Sequence, residues 1–170
     1  MVGKESLSTQ ELHELLLSAL GDAVKWCGPM MSKPLEIDVA LPYLLRLRVY
    51  MYNCTNPPGG RPKHEYKIQL KVPGQKRSER GHFDWSDGRI VLIMAYAHIY
   101  DNPSDGVFVL YDALYHMDFA YCANLQLSAS IMSKALIERV GFGTKKTGEI
   151  IIAAQKTSLL AAIDSRLSHY

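Results

Sequence analysis

A chain of 170 residues with 48% apolar residues, 21% charged residues and a net charge of +2 has the composition of a globular domain with a substantial core, which excludes a disordered or fibrous chain. Its three cysteines, Cys27, Cys54 and Cys122, are too few and too scattered for a disulfide framework or a zinc knuckle. The opening MVGKESLSTQ has no apolar leader core and the longest apolar run, residues 90–100, is shorter than a membrane span, so a cytoplasmic protein without a membrane partner is expected.

The first element is a helix over about residues 9–27. Ser8 and Glu11 stand at capping-box spacing, Leu12, Leu15, Leu16, Ala19, Leu20 and Ala23 repeat at helical intervals, and Gly28-Pro29 closes the pattern. A short strand, 36–41, precedes a long one from Tyr43. In the long strand Leu45, Leu47, Val49 and Met51 alternate with Arg46, Arg48, Tyr50 and Tyr52, so the two sets face opposite ways. The Gly/Pro-rich run CTNPPGGRPKH leads into a second alternating strand, with Tyr66, Ile68, Leu70 and Val72 on one face and Glu65, Lys67, Gln69 and Lys71 on the other. Pairing of these two strands would merge their polar sides into one surface of Arg, Lys, Gln and Tyr, complementary to phosphates and unstacked bases. Charge supports that expectation. Residues 39–80 carry nine Lys or Arg against two acids, a local +7, so the remaining 128 residues sum to −5.

A polar segment, 73–88, reads as a loop that is mobile or ordered by a partner; its Arg77, Arg80, Phe83 and Trp85 could pair with phosphates or stack on bases. Strands are expected over 89–100, 106–114 and 119–127, with DNPSDG as a turn. A helix over 130–140 should stop at Gly141-Phe142-Gly143, followed by a strand at 149–155 and a helix from Thr157 to Leu167. This order predicts one α+β domain spanning 1–170, with a mainly antiparallel sheet at 36–127, barrel-like closure as an option, and helices at both ends.

Arg61, Lys63 and His64 close the Gly/Pro-rich loop. Its glycines allow main-chain N–H groups to approach an anion, and the Arg61 fork can hold two acceptors. No Gly-Lys-Ser/Thr follows, so it is not a P-loop. Glu65-Tyr66-Lys67 matches half of a PD-(D/E)xK nuclease site, which would use Mg²⁺, but the strand at 43–53 offers no second acid. Arg77 and His82 fit an R-x4-6-H ribonuclease spacing, though in a loop rather than on the helix that family uses. Asp112, His116 and Asp118 could gather as metal ligands, yet a polar hairpin turn explains them more simply. Asn124 and Gln126 alternate with Leu125 and Leu127 and suit either cross-sheet hydrogen bonds or base-edge contacts.

The string VYMYNCTNPPGGRPKHEYKIQL, with FVLYDALYH, FAYCANLQLS and GEIIIAA further on, resembles restriction-endonuclease or methylase-associated domains of prokaryotic restriction and phage-defence systems. The resemblance implies a DNA-directed role, and Tyr50, Tyr52, Arg61, Glu65, Lys67 and Gln69 lie in its central string. The reading is therefore a DNA-binding domain, recognising a site or modified base, with DNA and other restriction subunits as partners and without metal or cofactor. The alternatives are a Mg²⁺-dependent nuclease acting through Glu65 and Lys67, and a protein-interaction subunit with a basic docking face.

Overall fold

The computed structural model describes residues 6–40, 44–56, 65–97 and 102–170. The capping box forms as its spacing requires: Ser8 Oγ accepts from Glu11 N–H, and the Glu11 carboxylate accepts from Ser8 N–H. Helix α1, Thr9–Leu20, ends well before the expected residue 27. Gly21 turns the chain at φ 55° and its N–H caps Leu17 O, which frees Val24–Cys27 to form strand β1 instead.

Strands β2 (Leu35–Val39), β3 (Leu45–Asn53), β5 (Ile90–Ala97), β6 (Val107–Tyr111), β8 (Val140–Thr144) and β9 (Ile150–Ala154) join β1 in a seven-stranded sheet of order β1-β2-β3-β5-β6-β9-β8. Every neighbouring pair is antiparallel except β3 with β5. The α+β class stands, but among the described residues β1 and β8 are the two edges and the sheet does not close into a barrel.

The expected pairing of β3 with β4 (Glu65–Leu70) does not form. Both edges of β3 are taken, by β2 and β5, so β4 pairs with β7 (Ala123–Ser128) in a separate two-stranded ribbon. The ribbon lies over the large sheet, burying Ile68, Leu70, Leu125 and Leu127 against Tyr50, Tyr52, Ile93 and Val109. Helix α2, Ala129–Glu138, completes that layer through Ile131, Met132 and Ala135. The opposite sheet face packs Leu47, Val49, Leu92, Met94 and Phe108 against α1 and α3, Leu159–Leu167. Burial on both faces explains why β5 reads IVLIMAYA without alternation.

Segment 140–144, expected as a helix stop, is edge strand β8. Loop 73–88 is tied down rather than loose. Gly81 exchanges backbone hydrogen bonds with Phe119, Tyr50 Oη accepts from Asp84 N–H, and Phe83 plugs the core between Tyr50 and Phe119, with ring centroids 4.7 and 4.9 Å away. Among the described residues no helix is long and apolar enough to cross a membrane.

Candidate nucleic-acid interface

Strand alternation alone would leave Arg46, Arg48, Tyr50 and Tyr52 on a common open face. The second layer covers most of it. Tyr50 and Tyr52 are 2% and 5% exposed, and Arg48 is 2% exposed. The Arg48 guanidinium donates to Glu36 Oε1 at 2.8 Å and to the carbonyls of Asp84 and Ser86 at 2.9 Å, which makes it the clasp of loop 84–88. Arg46 is exposed and donates to Asp87 O at 3.4 Å. Phe83 is buried, and Trp85 packs half-buried on the same core. The expected surface is thus corrected: Arg48, Tyr50, Tyr52 and Phe83 are interior groups, because loop 73–88 and the ribbon lie over the face that alternation left open.

The exposed polar face belongs to the β4/β7 ribbon. Cross-strand register sets Glu65 opposite Ser128, Lys67 opposite Gln126, and Gln69 opposite Asn124. Lys67 Nζ lies 3.4 Å from Asn124 Oδ1, and Lys71 Nζ lies 3.5 Å from Tyr121 Oη. Gln69, Lys71, Asn124 and Gln126 are exposed, as are Arg77 and Arg80 in the following loop. Arg80 is engaged with Asp118, whose other oxygen is 3.1 Å from His82 Nε2. Arg61, Lys63 and His64 lie outside the described residues.

The nuclease half-motif gains no second carboxylate from its partner strand, since β7 presents Asn124, Gln126 and Ser128 to Gln69, Lys67 and Glu65. Asp112, His116 and Asp118 do not converge. Asp112 pairs with Arg166 and His116 with Glu149, while Asp118 faces Arg80. No cluster of His, Cys, Asp and Glu suited to a metal exists among the described residues.

Beside the ribbon a cavity of about 290 Å³ opens between the start of α1, the end of β3 and the outer edge of β4. The Asn53 side chain builds its wall, accepting from Leu7 N–H at 2.9 Å and donating to Leu7 O at 2.8 Å, which pins the helix start over the strand end. Thr55 and Lys67 exchange backbone hydrogen bonds of 3.0 and 2.9 Å and close the other side. Lys33 enters from the turn before β2, its Nζ 3.7 Å from the centroid of the Tyr52 ring, and Tyr52 Oη donates to Lys71 O at 2.9 Å. Burial, and secondarily the charge of Lys71, pull the Lys33 ammonium down to about 8. Burial also drives the Tyr52 phenol well above its ordinary value.

Lys33, Asn53 and Thr55 were not singled out by the sequence. Lys33-Pro34 reads as a turn, and nothing in spacing joins residue 33 to residue 67; only the second layer brings them together.

Residues 45–163 match the family model described as Methylase-associated X1. The chain belongs to this family. Membership ties it to methylases, and through them to restriction–modification systems and their components as partners. No curated protein and no solved structure matches the chain.

Proposed function

We propose that this methylase-associated chain is a DNA-recognition domain of a restriction system that docks the β4/β7 ribbon on duplex DNA. The single observation that carries this reading is the outer face of the ribbon, where Lys67 and Gln69 stand in register with Gln126 and Asn124, with the exposed Lys71 just past the strand end and Glu65 at the other end as its acid. A major groove admits a two-stranded ribbon; Asn and Gln can bond adenine edges in bidentate fashion, and Lys can meet guanine acceptors or phosphates. Because its apolar face is already packed on the sheet, the ribbon is ordered before docking and little further ordering entropy opposes binding. The exposed Lys76 and Arg77 of the adjoining loop extend the basic surface toward a phosphate backbone.

Fluorescence anisotropy on a panel of unmodified, methylated and hydroxymethylated duplexes tests the reading. Asn124→Ala and Gln126→Ala are expected to cost about 1–3 kcal/mol on the preferred duplex and less on the others. Lys67→Ala with Lys71→Ala should weaken binding to all duplexes and flatten the salt dependence by roughly one unit of slope per lost phosphate contact. Absence of duplex binding at low salt, or indifference to all four substitutions, would overturn it.

A further inference from the structure

The cavity beside the ribbon has a mixed lining whose only charges, among the described residues, are positive. Lys33 and Lys67 supply two cations, the side chains of Ser6, Thr9, Thr55 and Gln69 supply hydroxyls and an amide, the rest of the lining is largely apolar, and no acid among the described residues belongs to it. A cationic ligand is disfavoured there by like charge, and a wholly apolar one would strand the polar groups. Lys33 has no carboxylate partner among the described residues, yet it is largely withdrawn from water onto the Tyr52 ring. A withdrawn ammonium of this kind is stabilised when an anion arrives to share its protons. Glu11, the acid in the first turn of α1, has its carboxylate engaged by Ser8 N–H and is not part of the lining. The volume, about 290 Å³, is at the small end of ligand pockets and exceeds what a bare oxyanion fills.

We infer that this pocket binds the phosphate of a nucleotide between Lys33 and Lys67, with the sugar side against the hydroxyl and amide groups of Thr9, Thr55 and Gln69. That the anion is a nucleotide's rests on the DNA reading above; that it is an anion rests on the lining alone. Because Lys67 and Gln69 belong both to the ribbon face and to the pocket wall, a nucleotide displaced from a bound duplex and a free mononucleotide present the same phosphate to the same lysines.

Isothermal titration calorimetry of the intact chain separates these cases. Deoxyadenosine monophosphate and thymidine monophosphate are expected to bind, and the corresponding nucleosides to bind at least about tenfold more weakly, the contribution of charge-assisted hydrogen bonds to one phosphate. Lys33→Met, which keeps the stem over Tyr52, and Lys67→Gln, on a strand surface, should each lower mononucleotide affinity about tenfold or more without changing the circular dichroism spectrum. Mononucleotide that displaces a short duplex assigns the pocket to a DNA nucleotide; mononucleotide that saturates the protein without displacing the duplex assigns it to a free one. Nucleosides and nucleotides binding alike, neither binding, or affinity unchanged in Lys67→Gln would overturn the inference. The ribbon reading fails separately. Duplex binding that is lost in Asn124→Ala and Gln126→Ala, in a chain that binds no mononucleotide, leaves the ribbon standing and removes the pocket, whereas nucleotide binding in a chain that ignores duplex DNA does the reverse.

Discussion

Arg46 and Arg48 are two residues apart, share a strand face and differ in almost every physical respect. Arg48 holds Glu36 and the carbonyls of Asp84 and Ser86 from a position 2% exposed to solvent, while Arg46 lies open with a long bond to Asp87 O. Removing the buried member leaves carbonyls and a carboxylate without their donor, and that penalty exceeds the pair's own net contribution. Arg48→Met is therefore expected to lower unfolding stability by about 2–4 kcal/mol, tempered by the partial exposure of Glu36. Arg46→Ala should stay within about 0.5 kcal/mol. Urea unfolding midpoints decide; similar shifts for both would mean that the clasp contributes no more than a surface pair. The alternation was readable in the sequence, and the parity was right. What covers each arginine was not, because the covering groups are almost 40 residues downstream in a loop without periodicity.

At the level of elements, departures from the sequence pattern occur where glycine permits an alternative. Gly21 cuts α1 short, and Gly141-Phe142-Gly143 carries a strand where a helix stop was expected. The reason at Gly141 is proximity: a Cβ there would lie 2.4 Å from Ile131 O and 2.9 Å from Ala135 N, both backbone atoms of α2. At Gly143 the obstructing atoms, Ile131 Cδ1 and Cγ1 at 2.4 and 2.7 Å, belong to a side chain, which can change rotamer. Gly141→Ala should thus destabilise by about 1–3 kcal/mol as β8 and α2 are forced apart, and Gly143→Ala by distinctly less. Guanidinium denaturation of the two variants gives the order directly, and the reverse order would contradict the close-packing account. The same scale explains the misjudged partner of β4. Each strand's apolar face was evident from its own residues, but pairing depends on which edges remain free, and β3 has none after β2 and β5 are placed.

Across the molecule, acids and bases are sorted in a way that bears on chemistry. Within the described residues Asp112 meets Arg166, Glu149 meets His116 and Lys145, Asp118 meets Arg80, Asp38 meets Arg89, and Glu36, Asp84 and Asp87 surround Arg48. Carboxylates so engaged are not free to converge on a divalent ion. Glu65 stands on the ribbon opposite Ser128, with Lys67, Gln69 and Lys71 continuing its face. A metal-bound water needs ligands arriving from more than one element, whereas this face offers amides and ammonium groups that attract phosphate and repel Mg²⁺. The half-motif and the want of a second acid were legible in the sequence, but the strand searched for that acid was β3, whereas the neighbouring strand is β7, which offers none either. The purified chain is therefore expected to bind DNA without cutting it. Supercoiled plasmid bearing the preferred site, incubated with protein in Mg²⁺ and then in Mn²⁺, should remain supercoiled on a gel. Nicking that vanishes in both Glu65→Gln and Lys67→Ala would instead place a nuclease centre on the ribbon and recast its lysines as parts of that centre.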